Sequence, residues 1–592
     1  MAAGGLSTIF LSVIALVVAR FLYKGFRIRR QLHALPGPPH SYLLGHLSLV
    51  AQVAASQPFN VHHQVLMFLI AQQHGFDDFF YLDTWPFSDP LLVVVDPSYA
   101  QHLTNLPKSP LITHMLDGLV GKNSLVAMNG PLWKTWRKML NPGFSLTNLM
   151  TLVPEIVDRS IDFCDVLQEH ARAGDLFRME EIATRLTIDI IGKIVLDVNL
   201  DSQHGDNELL SAFRSQVRLC GDDQSRGLFD RYNPLTLRKI RENTDTMNEF
   251  IGKIVDDRLA SRSAAAVSEK PSPDEEVKLK YIIDIILDAG LGEQQNKENG
   301  AATPPVDDKR PSKQQQKLPQ GFRDTALTQI KTFMFAGHDT TSSTICYAYH
   351  LLHNNPRCLA ALRAEHDQVL GDVEGTADAI RSNPQLLSRL EYTTAVVKET
   401  LRLYNPAGTL RVGTKDAFVH SRSSGHSFPT AGFNVYFNNF ASHRRPALWG
   451  ATSHAFVPER FLSSLPSPTD TTTTTSQPPQ QPQPPPNKNA WRPFEKGPRR
   501  CIGQDLAVLE TKIILALTVR RFNVATTFRG TDRLEGAGTQ WARERPWDKR
   551  PVLGDEAYQV RIGIAKPRQG MPARVSMVER NESGGGRESV RG

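Results

Sequence analysis

Cysteine and excess charge are both scarce in this sequence. Five cysteines among 592 residues, scattered and odd in number, fit a reducing compartment better than a disulfide framework. The net charge of +7 is too small and too dispersed for a nucleic-acid-binding protein. It does suit an acidic membrane surface or an acidic protein partner. The composition therefore argues against a disulfide-rich secreted domain and against a nucleic-acid reader.

Nucleotide-binding loops are missing as well. Residues 118–123 are too short for a P-loop, and the segment that begins at Gly290 has Gln295 where a dinucleotide-binding fingerprint needs glycine. Cys346 and Cys358 lack the spacing of zinc ligands. The chain has no spare length for a flavin module. Electrons for any redox chemistry must therefore come from another protein.

One cysteine lies in a loop of distinctive composition. Residues 494–503 read FEKGPRRCIG. Gly497 and Gly503 remove side chains where the backbone must turn sharply or run against a ligand, and Phe494 screens a sulfur atom from water. Arg499 adds a fixed positive charge suited to a porphyrin propionate. The segment therefore predicts that Cys501 is the ligand of a haem iron.

Cys501 precedes a predicted helix. Apolar residues recur at helical spacing from Ile502 to Leu517, which places Cys501 at a helix N-terminus. The dipole there favours thiolate over thiol, and a thiolate ligand directs haem iron toward O–O cleavage. The alternative is an ordinary buried cysteine in a basic loop. The segment resembles the haem-binding loop of the cytochrome P450 family at five fixed positions: Phe494, Gly497, Arg499, Cys501 and Gly503.

An acid and a base lie three residues apart on the face of another predicted helix. Glu399 and Arg402 precede Pro406, which ends that helix. Alone, such a pair is typical of a solvated surface ion pair. Residues 456–461 read FVPERF and resemble the family segment whose arginine completes a buried Glu-Arg-Arg triad. The resemblance implies that Glu399, Arg402 and Arg460 form a structural lock.

A long central helix is predicted from Asp324, as its N-cap, to Asn354. Within it, residues 336–341 read AGHDTT and resemble the oxygen-activating segment of the family. The resemblance assigns Thr340 to orienting a proton donor and Asp339 to connecting that donor with solvent. The alternative is a threonine-rich buried helix without chemistry.

Further candidates follow from the same resemblance. Trp133 and Arg137 lie four residues apart on a helical face and resemble residues that bind a haem propionate, although such a pair is also typical of simple packing. Arg411 is a similar candidate on a strand. The resemblance implies that an apolar substrate pocket is lined by residues 106–128, 208–240 and 407–410.

The N-terminal residues predict a membrane anchor. An apolar run extends from Leu6 to Leu22, interrupted by Arg20, and further basic residues follow it. By the positive-inside rule the body then faces the cytosol. A cleaved signal peptide is the alternative. Residues 36–39, which read PGPP, resemble the hinge of microsomal family members. We therefore expect a single-pass protein of the endoplasmic reticulum membrane.

The resemblance spans nearly the whole chain and implies a mainly α fold with a small β region. The expected divisions are a signal anchor at 1–30, a proline-rich hinge at 31–45, one large catalytic domain at 46–566 and a disordered tail at 567–592. Two low-complexity inserts are expected inside the domain. They comprise residues 261–320, with one helical island at 281–287, and residues 463–489, where threonine, proline and glutamine repeat.

The activity implied by the resemblance is a monooxygenase reaction. Haem b, with Cys501 as its axial thiolate ligand, would support insertion of one oxygen atom from O2 into a lipophilic substrate. The implied partners are a membrane-bound NADPH-dependent reductase and, as a second electron donor, a cytochrome b5. The general likeness is to a fungal member of secondary metabolism. Two alternatives stay open: a haem-thiolate isomerase or dehydratase that needs no reductase, and a non-catalytic haem-binding protein.

Overall fold

The computed structural model describes residues 2–220, 233–268, 281–299, 318–422, 424–462, 489–534 and 550–579. Helices dominate these ranges, and the strands form small sheets beside them. The helices are α1 (Ala2–Leu32), α2 (Leu47–Ala55), α3 (His63–His74), α4 (Pro97–Leu103), α5 (Pro110–Leu119), α6 (Gly130–Leu140), α7 (Leu146–Thr151), α8 (Val153–Ala173), α9 (Met179–Leu196), α10 (Glu208–Cys220), α11 (Pro234–Ser268), α12 (Ile282–Asn299), α13 (Gln320–Asn354), α14 (Pro356–Leu370), α15 (Thr376–Ser382), α16 (Glu391–Leu403), α17 (Asn439–Ser442), α18 (Pro446–Trp449) and α19 (Gln504–Thr518). The strands are β1 (Phe79–Leu82), β2 (Leu91–Val94), β3 (Phe177–Arg178), β4 (Thr409–Val412), β5 (Phe418–His420), β6 (Ser427–Pro429), β7 (Asn434–Phe437), β8 (Phe522–Thr526), β9 (Gln559–Ile562), β10 (Ile564–Pro567) and β11 (Pro572–Met577).

The 35-residue helix α13 crosses the core over about 52 Å. It is buried along most of its length and packs against α9, α16, α19 and strand β10. The helix ends at Asn354, as the sequence predicts, but it begins at Gln320. The predicted N-cap was wrong, because Asp324 lies inside the first turns and accepts a hydrogen bond from Gln320 Nε2 at 2.8 Å.

Two sheets flank the helical core. The larger has the strand order β1-β2-β7-β4, in which only the β2–β7 pairing is parallel. The other has the order β3-β11-β8 and is antiparallel throughout. Strands β9 and β10 form a separate hairpin that turns at Gly563, and β10 lies along α13. This hairpin brings a segment close to the C-terminus against the centre of the fold.

The predicted disordered tail was wrong for residues 567–579. Strand β11 pairs in register with β8 and also with β3, and it buries Ala573 and Val575. Its partners lie far away in sequence, so local composition gives little indication of the pairing. Residues 580–592 lie outside the described ranges.

The predicted connector at 261–320 was wrong in its helical parts. Helix α11 continues to Ser268, and α12 extends the expected island at 281–287 as far as Asn299. Tyr281, Ile282 and Leu287 are buried against the main core, which explains why a helix forms inside a polar stretch. Residues 269–280, 300–317 and 463–488, which hold the rest of both inserts, lie outside the described ranges.

Helix α1 has the length and composition of a membrane anchor. The most apolar 18-residue stretch within Ile9–Leu32 has a mean hydropathy of 1.9, and only 6% of that stretch is buried in the protein. The C-terminal end of α1 contacts the body, with the rings of Phe21 and Trp85 centred 4.4 Å apart. The expected hinge at 31–45 is also fixed to the body, since Pro36 accepts a hydrogen bond from the Tyr81 amide at 2.8 Å.

Candidate active site

The loop that carries Cys501 folds back on itself just before α19. The Cys501 amide donates to the carbonyl of Phe494 at 2.8 Å, and the Arg500 amide donates to the carbonyl of Gly497 at 3.1 Å. Gly497 has φ +79°, in the left-handed region, and an added Cβ would lie 3.3 Å from Thr104 Oγ1. A residue with a side chain would be strained there. The glycine therefore permits the turn that presents the thiol.

The thiol of Cys501 is closely surrounded by protein, yet the residue remains exposed to solvent. Desolvation raises the pKa of the thiol, whereas the Gly503 amide and the positive charge of Arg137 act in the opposite direction. Helix α19 begins at Gln504, with Gly503 as its N-cap, so Cys501 lies just before the helix N-terminus. A metal ion would reverse this balance, since a coordinating thiol is deprotonated outright.

Arg499 and Trp133 are brought together beside this loop. The Arg499 guanidinium lies 4.2 Å from the centre of the Trp133 ring. Its Nη1 donates to the Met128 carbonyl at 2.9 Å, and its Nη2 donates to Asn129 Oδ1 at 3.0 Å. Arg137 lies one turn further along α6, where its charge acts on Cys501. All three residues that the sequence singled out here therefore lie on the same side of the loop.

Arg411 is completely buried on β4. Its Nη1 donates to the Leu106 carbonyl at 3.3 Å, and Nη2 lies 3.6 Å from Glu495 Oε2. Among the described residues, neither Nε nor Nη2 of Arg411 has a hydrogen-bond partner. Since buried guanidinium nitrogens are normally satisfied, this side chain is suited to receive an anionic group.

Lys108 adds to the positive charge and was missed by the sequence reasoning. Its backbone forms an isolated antiparallel β-bridge with the backbone of Arg411. Burial, together with the charges of Arg411 and Arg499, lowers the pKa of Lys108 to about 7, while Glu495 acts to raise it. The sequence offered only a weak signal, because Lys108 lies inside a segment predicted to line the substrate pocket.

The cluster fits a haem group by its own chemistry. Four basic side chains, Lys108, Arg411, Arg492 and Arg499, lie around the acid Glu495, and Arg411 keeps unsatisfied donors. This surplus of positive charge suits carboxylates, which are what the propionates of haem carry. The thiol of Cys501 supplies the soft donor that iron accepts.

Glu399, Arg402 and Arg460 meet in the core. Glu399 Oε2 and Oε1 accept from Arg402 Nε at 2.7 Å and Nη2 at 2.8 Å, and Oε1 also accepts from Arg460 Nε at 3.1 Å. The Val457 amide donates to the same oxygen at 2.9 Å. Both guanidinium groups also donate to backbone carbonyls, including those of Ser453 and Trp449. The ions are thus buried with their hydrogen-bonding capacity largely used.

Thr340 and Asp339 occupy the middle of α13. Thr340 Oγ1 donates to the carbonyl of Ala336 at 2.8 Å, a bond to the preceding turn of the helix. Asp339 is buried rather than open to solvent, and its Oδ1 forms an ion pair with Lys566 Nζ. Its Oδ2 has no hydrogen-bond partner among the described residues. The sequence reasoning missed Lys566.

The segments predicted to line the pocket are in contact. Gln216 Nε2 donates to the carbonyl of Gly118 at 2.6 Å, which joins 208–220 to 106–128. The Ser109 amide donates to the carbonyl of Leu410 at 3.3 Å, which joins 106–128 to 407–410. Residues 221–232 of the middle segment lie outside the described ranges.

Comparisons with known proteins agree with this arrangement. The family model described as Cytochrome P450 matches residues 36–536. The cytochrome P450 monooxygenase polC of Polytolypa hystricis is 34% identical over 582 residues, which cover 96% of this chain and 95% of the relative. The cytochrome P450 monooxygenase acrF of Aspergillus aculeatus is 34% identical over 533 residues, or 88% of this chain and 99% of the relative. A solved structure, the haem domain of cytochrome P450DA, covers 92% of this chain and 98% of its own with a TM-score of 0.62 at 20% identity.

The mainly helical fold with small sheets matches that of the solved haem domain, and the predicted fold class is confirmed. The chain belongs to the cytochrome P450 family and is a monooxygenase enzyme of that family. Members of the family hold haem iron through a cysteine thiolate. The similarity to fungal monooxygenases confirms the predicted likeness to fungal members of the family.

Proposed function

We propose that this chain inserts one atom of O2 into a lipophilic substrate by hydroxylation or epoxidation, with haem b held by Cys501. The observation that carries the proposal is the pairing of an accessible thiol in a tight loop with a buried basic cluster that has unsatisfied donors. Bound haem supplies the activation of dioxygen. The chain supplies the binding site, the orientation of the substrate and the protons.

The residues of the site divide these tasks. Arg411, Arg499, Trp133 and Arg137 hold the propionates by charge and by ring contact. Phe494, Gly497 and Gly503 shape the loop that presents the thiol, and none of these three residues carries a charge. The Glu399, Arg402 and Arg460 triad locks the core next to that loop.

One oxygen atom of O2 leaves as water. The protons that this atom takes up are delivered from the middle of α13. Thr340 orients the water molecule that donates the proton, and Asp339 resupplies that molecule. The observation that supports these roles is that Asp339, the residue before Thr340 in α13, has an Oδ2 without a hydrogen-bond partner among the described residues.

The electrons come from a separate NADPH-dependent reductase, with a cytochrome b5 as a second donor. Helix α1 anchors the enzyme in the endoplasmic reticulum membrane, and the basic residues that follow the apolar run keep the catalytic domain on the cytosolic side. Because the 34% identical relatives are fungal monooxygenases, we place the reaction in fungal secondary metabolism.

The reduced carbon-monoxide difference spectrum tests the iron ligand. We expect the strongly red-shifted Soret band of a thiolate-ligated haem in the wild type and its loss in Cys501→Ser. Cys220→Ser, which changes a half-buried cysteine away from the loop, serves as the control. A histidine-like band in the wild type would refute the assignment. Substrate-dependent NADPH consumption with the reductase then tests the monooxygenase reaction.

A further inference from the structure

Three buried charged side chains from distant parts of the chain meet beside the centre of α13. Lys566, on β10, places its Nζ 2.5 Å from Glu180 Oε1 and in contact with Asp339 Oδ1. Glu180 lies on α9, Asp339 on α13, and each of the three is at most 2% exposed. Thr184 Oγ1 also donates to Glu180 Oε1 at 3.1 Å. The hairpin near the C-terminus is thus joined by charge to two core helices.

Lys566 and Glu180 are both charged in this setting. Burial acts to lower the pKa of Lys566, but Asp339 and Glu180 outweigh it and raise that pKa above its ordinary value. Burial acts to raise the pKa of Glu180, but Lys566 and the charge of Arg214 outweigh it and hold that pKa below its ordinary value. One ammonium therefore serves two carboxylates, and Asp339 depends on a shared cation.

The ion pair occupies only one oxygen of Asp339. Its Oδ2 has no hydrogen-bond partner among the described residues and lies beside the turn of the hairpin. A Cβ added at Gly563 would lie 3.7 Å from Oδ2 and only 2.9 Å from Val217 Cγ1, so the turn of the hairpin packs closely here and requires glycine. Ser343 Oγ donates to the carbonyl of Ala565 at 3.0 Å, which fixes the hairpin against α13 one turn further along. The second oxygen is thus buried beside the hairpin turn, and the ion pair with Lys566 leaves it without a partner of its own among the described residues.

We propose that Lys566 and Glu180 are positioning residues for Asp339. Lys566 fixes the orientation of the Asp339 carboxylate, so that Oδ2 accepts a proton relayed from solvent through one water molecule and passes it to the donor water held by Thr340. Glu180 shares the Lys566 ammonium and so limits how strongly that ammonium binds Asp339. The inference rests on the proposed proton-supplying role of Asp339 and Thr340.

The proton balance is that of the overall reaction. One oxygen atom enters the substrate, and the other leaves as water after taking up two protons and two electrons. The reductase supplies the electrons. Asp339 accepts each proton at Oδ2 and releases it again, so it ends every turnover as a carboxylate.

Infrared spectroscopy of the haem-loaded full chain tests the ionisation without turnover. In Lys566→Met, a buried carboxylate without its cation takes up a proton, so we expect a carboxylic-acid C=O band that is absent from the wild type. Glu180 loses the same cation and can contribute a band of its own, so the test is made in a Glu180→Gln background, where the band of Lys566→Met should disappear when Asp339→Asn is added. Lys566→Arg keeps the charge and should show no band. Absence of the band in Lys566→Met would overturn the proposal.

Turnover gives the second measurement. Lys566→Met should lower the rate of product formation by about tenfold and raise the ratio of peroxide to product, a part of the about 10²–10⁴ that a positioned proton donor contributes. Lys566→Arg should stay close to the wild type. A purely structural hairpin contact predicts equal loss of haem in both variants and an unchanged ratio in the enzyme that remains.

Glu180→Gln keeps the shape of the cluster and provides a test if Lys566→Met does not retain haem. Asp339 then has Lys566 to itself and accepts protons less readily, so the solvent deuterium isotope effect on product formation should increase. An unchanged isotope effect would contradict the part assigned to Glu180. If Asp339→Asn leaves the peroxide ratio unchanged, the proton role in the proposed function fails. If Asp339→Asn raises that ratio while Lys566→Met neither raises it nor shows the acid band, only the positioning role fails.

Discussion

Glu399 is a fully buried acid to which two arginines and a backbone amide all donate. Glu399→Ala leaves both guanidinium groups buried without their anion. We expect a loss of about 3–5 kcal/mol in the free energy of unfolding and little haem incorporation. Urea unfolding and the carbon-monoxide spectrum measure the two effects. Glu391→Ala, on the exposed start of the same helix, is the control, and normal haem content in Glu399→Ala would contradict the structural lock.

Thr340 allows a second prediction at the scale of one side chain. Thr340→Ala removes the hydroxyl that donates to the Ala336 carbonyl and that, in the proposed function, orients the proton-donating water. We expect more peroxide relative to product at an unchanged haem content. The control is Thr325→Ala, which removes the same kind of bond, to the Gly321 carbonyl at 2.9 Å, from the outer end of the same helix. Equal peroxide ratios in the two variants would argue against the assigned role.

The residue scale also shows where sequence reasoning stops. The motif residues near Cys501 and in α13 are close together in sequence, so their spacing and their family resemblance singled them out. Lys566 and Glu180 are 386 positions apart, and each looks like an ordinary charged residue in its own segment. Their pairing depends on the packing of β10 against the core, which no local pattern reports.

Strand β11 provides a prediction for an element. A chain that ends after residue 579 keeps the whole strand, whereas a chain that ends after residue 571 separates β3 from β8 and exposes the apolar surface that Val575 covers. We expect the first truncation to unfold like the full chain. The second should lose about 3 kcal/mol or more of the free energy of unfolding. Thermal and urea unfolding compare them, and equal stability would contradict a structural role for β11.

Elements were predictable to different degrees. Helix α19 follows from apolar periodicity, and the end of α13 follows from the proline at position 356. The tail strand and the continuation of α12 past residue 287 did not follow, because their stability comes from partners elsewhere in the fold. The site as a whole was predicted through the family resemblance, while the basic cluster around Arg411 needed the β4 register to bring Lys108 alongside.

At the scale of the whole molecule, shortening the insert at 463–489 would test how well the fold tolerates a change in the length of this connection. The rings of Phe461 and Trp491, on either side of it, have centroids 6.1 Å apart, so the flanking chain ends lie close together. Replacing residues 464–488 with a short glycine-serine linker should therefore preserve haem binding and stability. The entropy of closing a loop changes by only about 0.6 kcal/mol per doubling of length. The carbon-monoxide spectrum and urea unfolding check this expectation, and loss of the thiolate band would show that the insert supports the haem loop.

The contact between α1 and the body fixes an angle as well as a position. Arg29 donates to the Tyr42 carbonyl at 2.9 Å and lies over the Trp85 ring, and Gly25 packs directly against that ring. With α1 in a bilayer, the catalytic body tilts together with the helix. The same contacts keep the distance between the body and the lipid surface nearly constant. Two proteins anchored in this way in one membrane would meet by diffusion in the membrane plane. Most of their relative orientations would already be excluded.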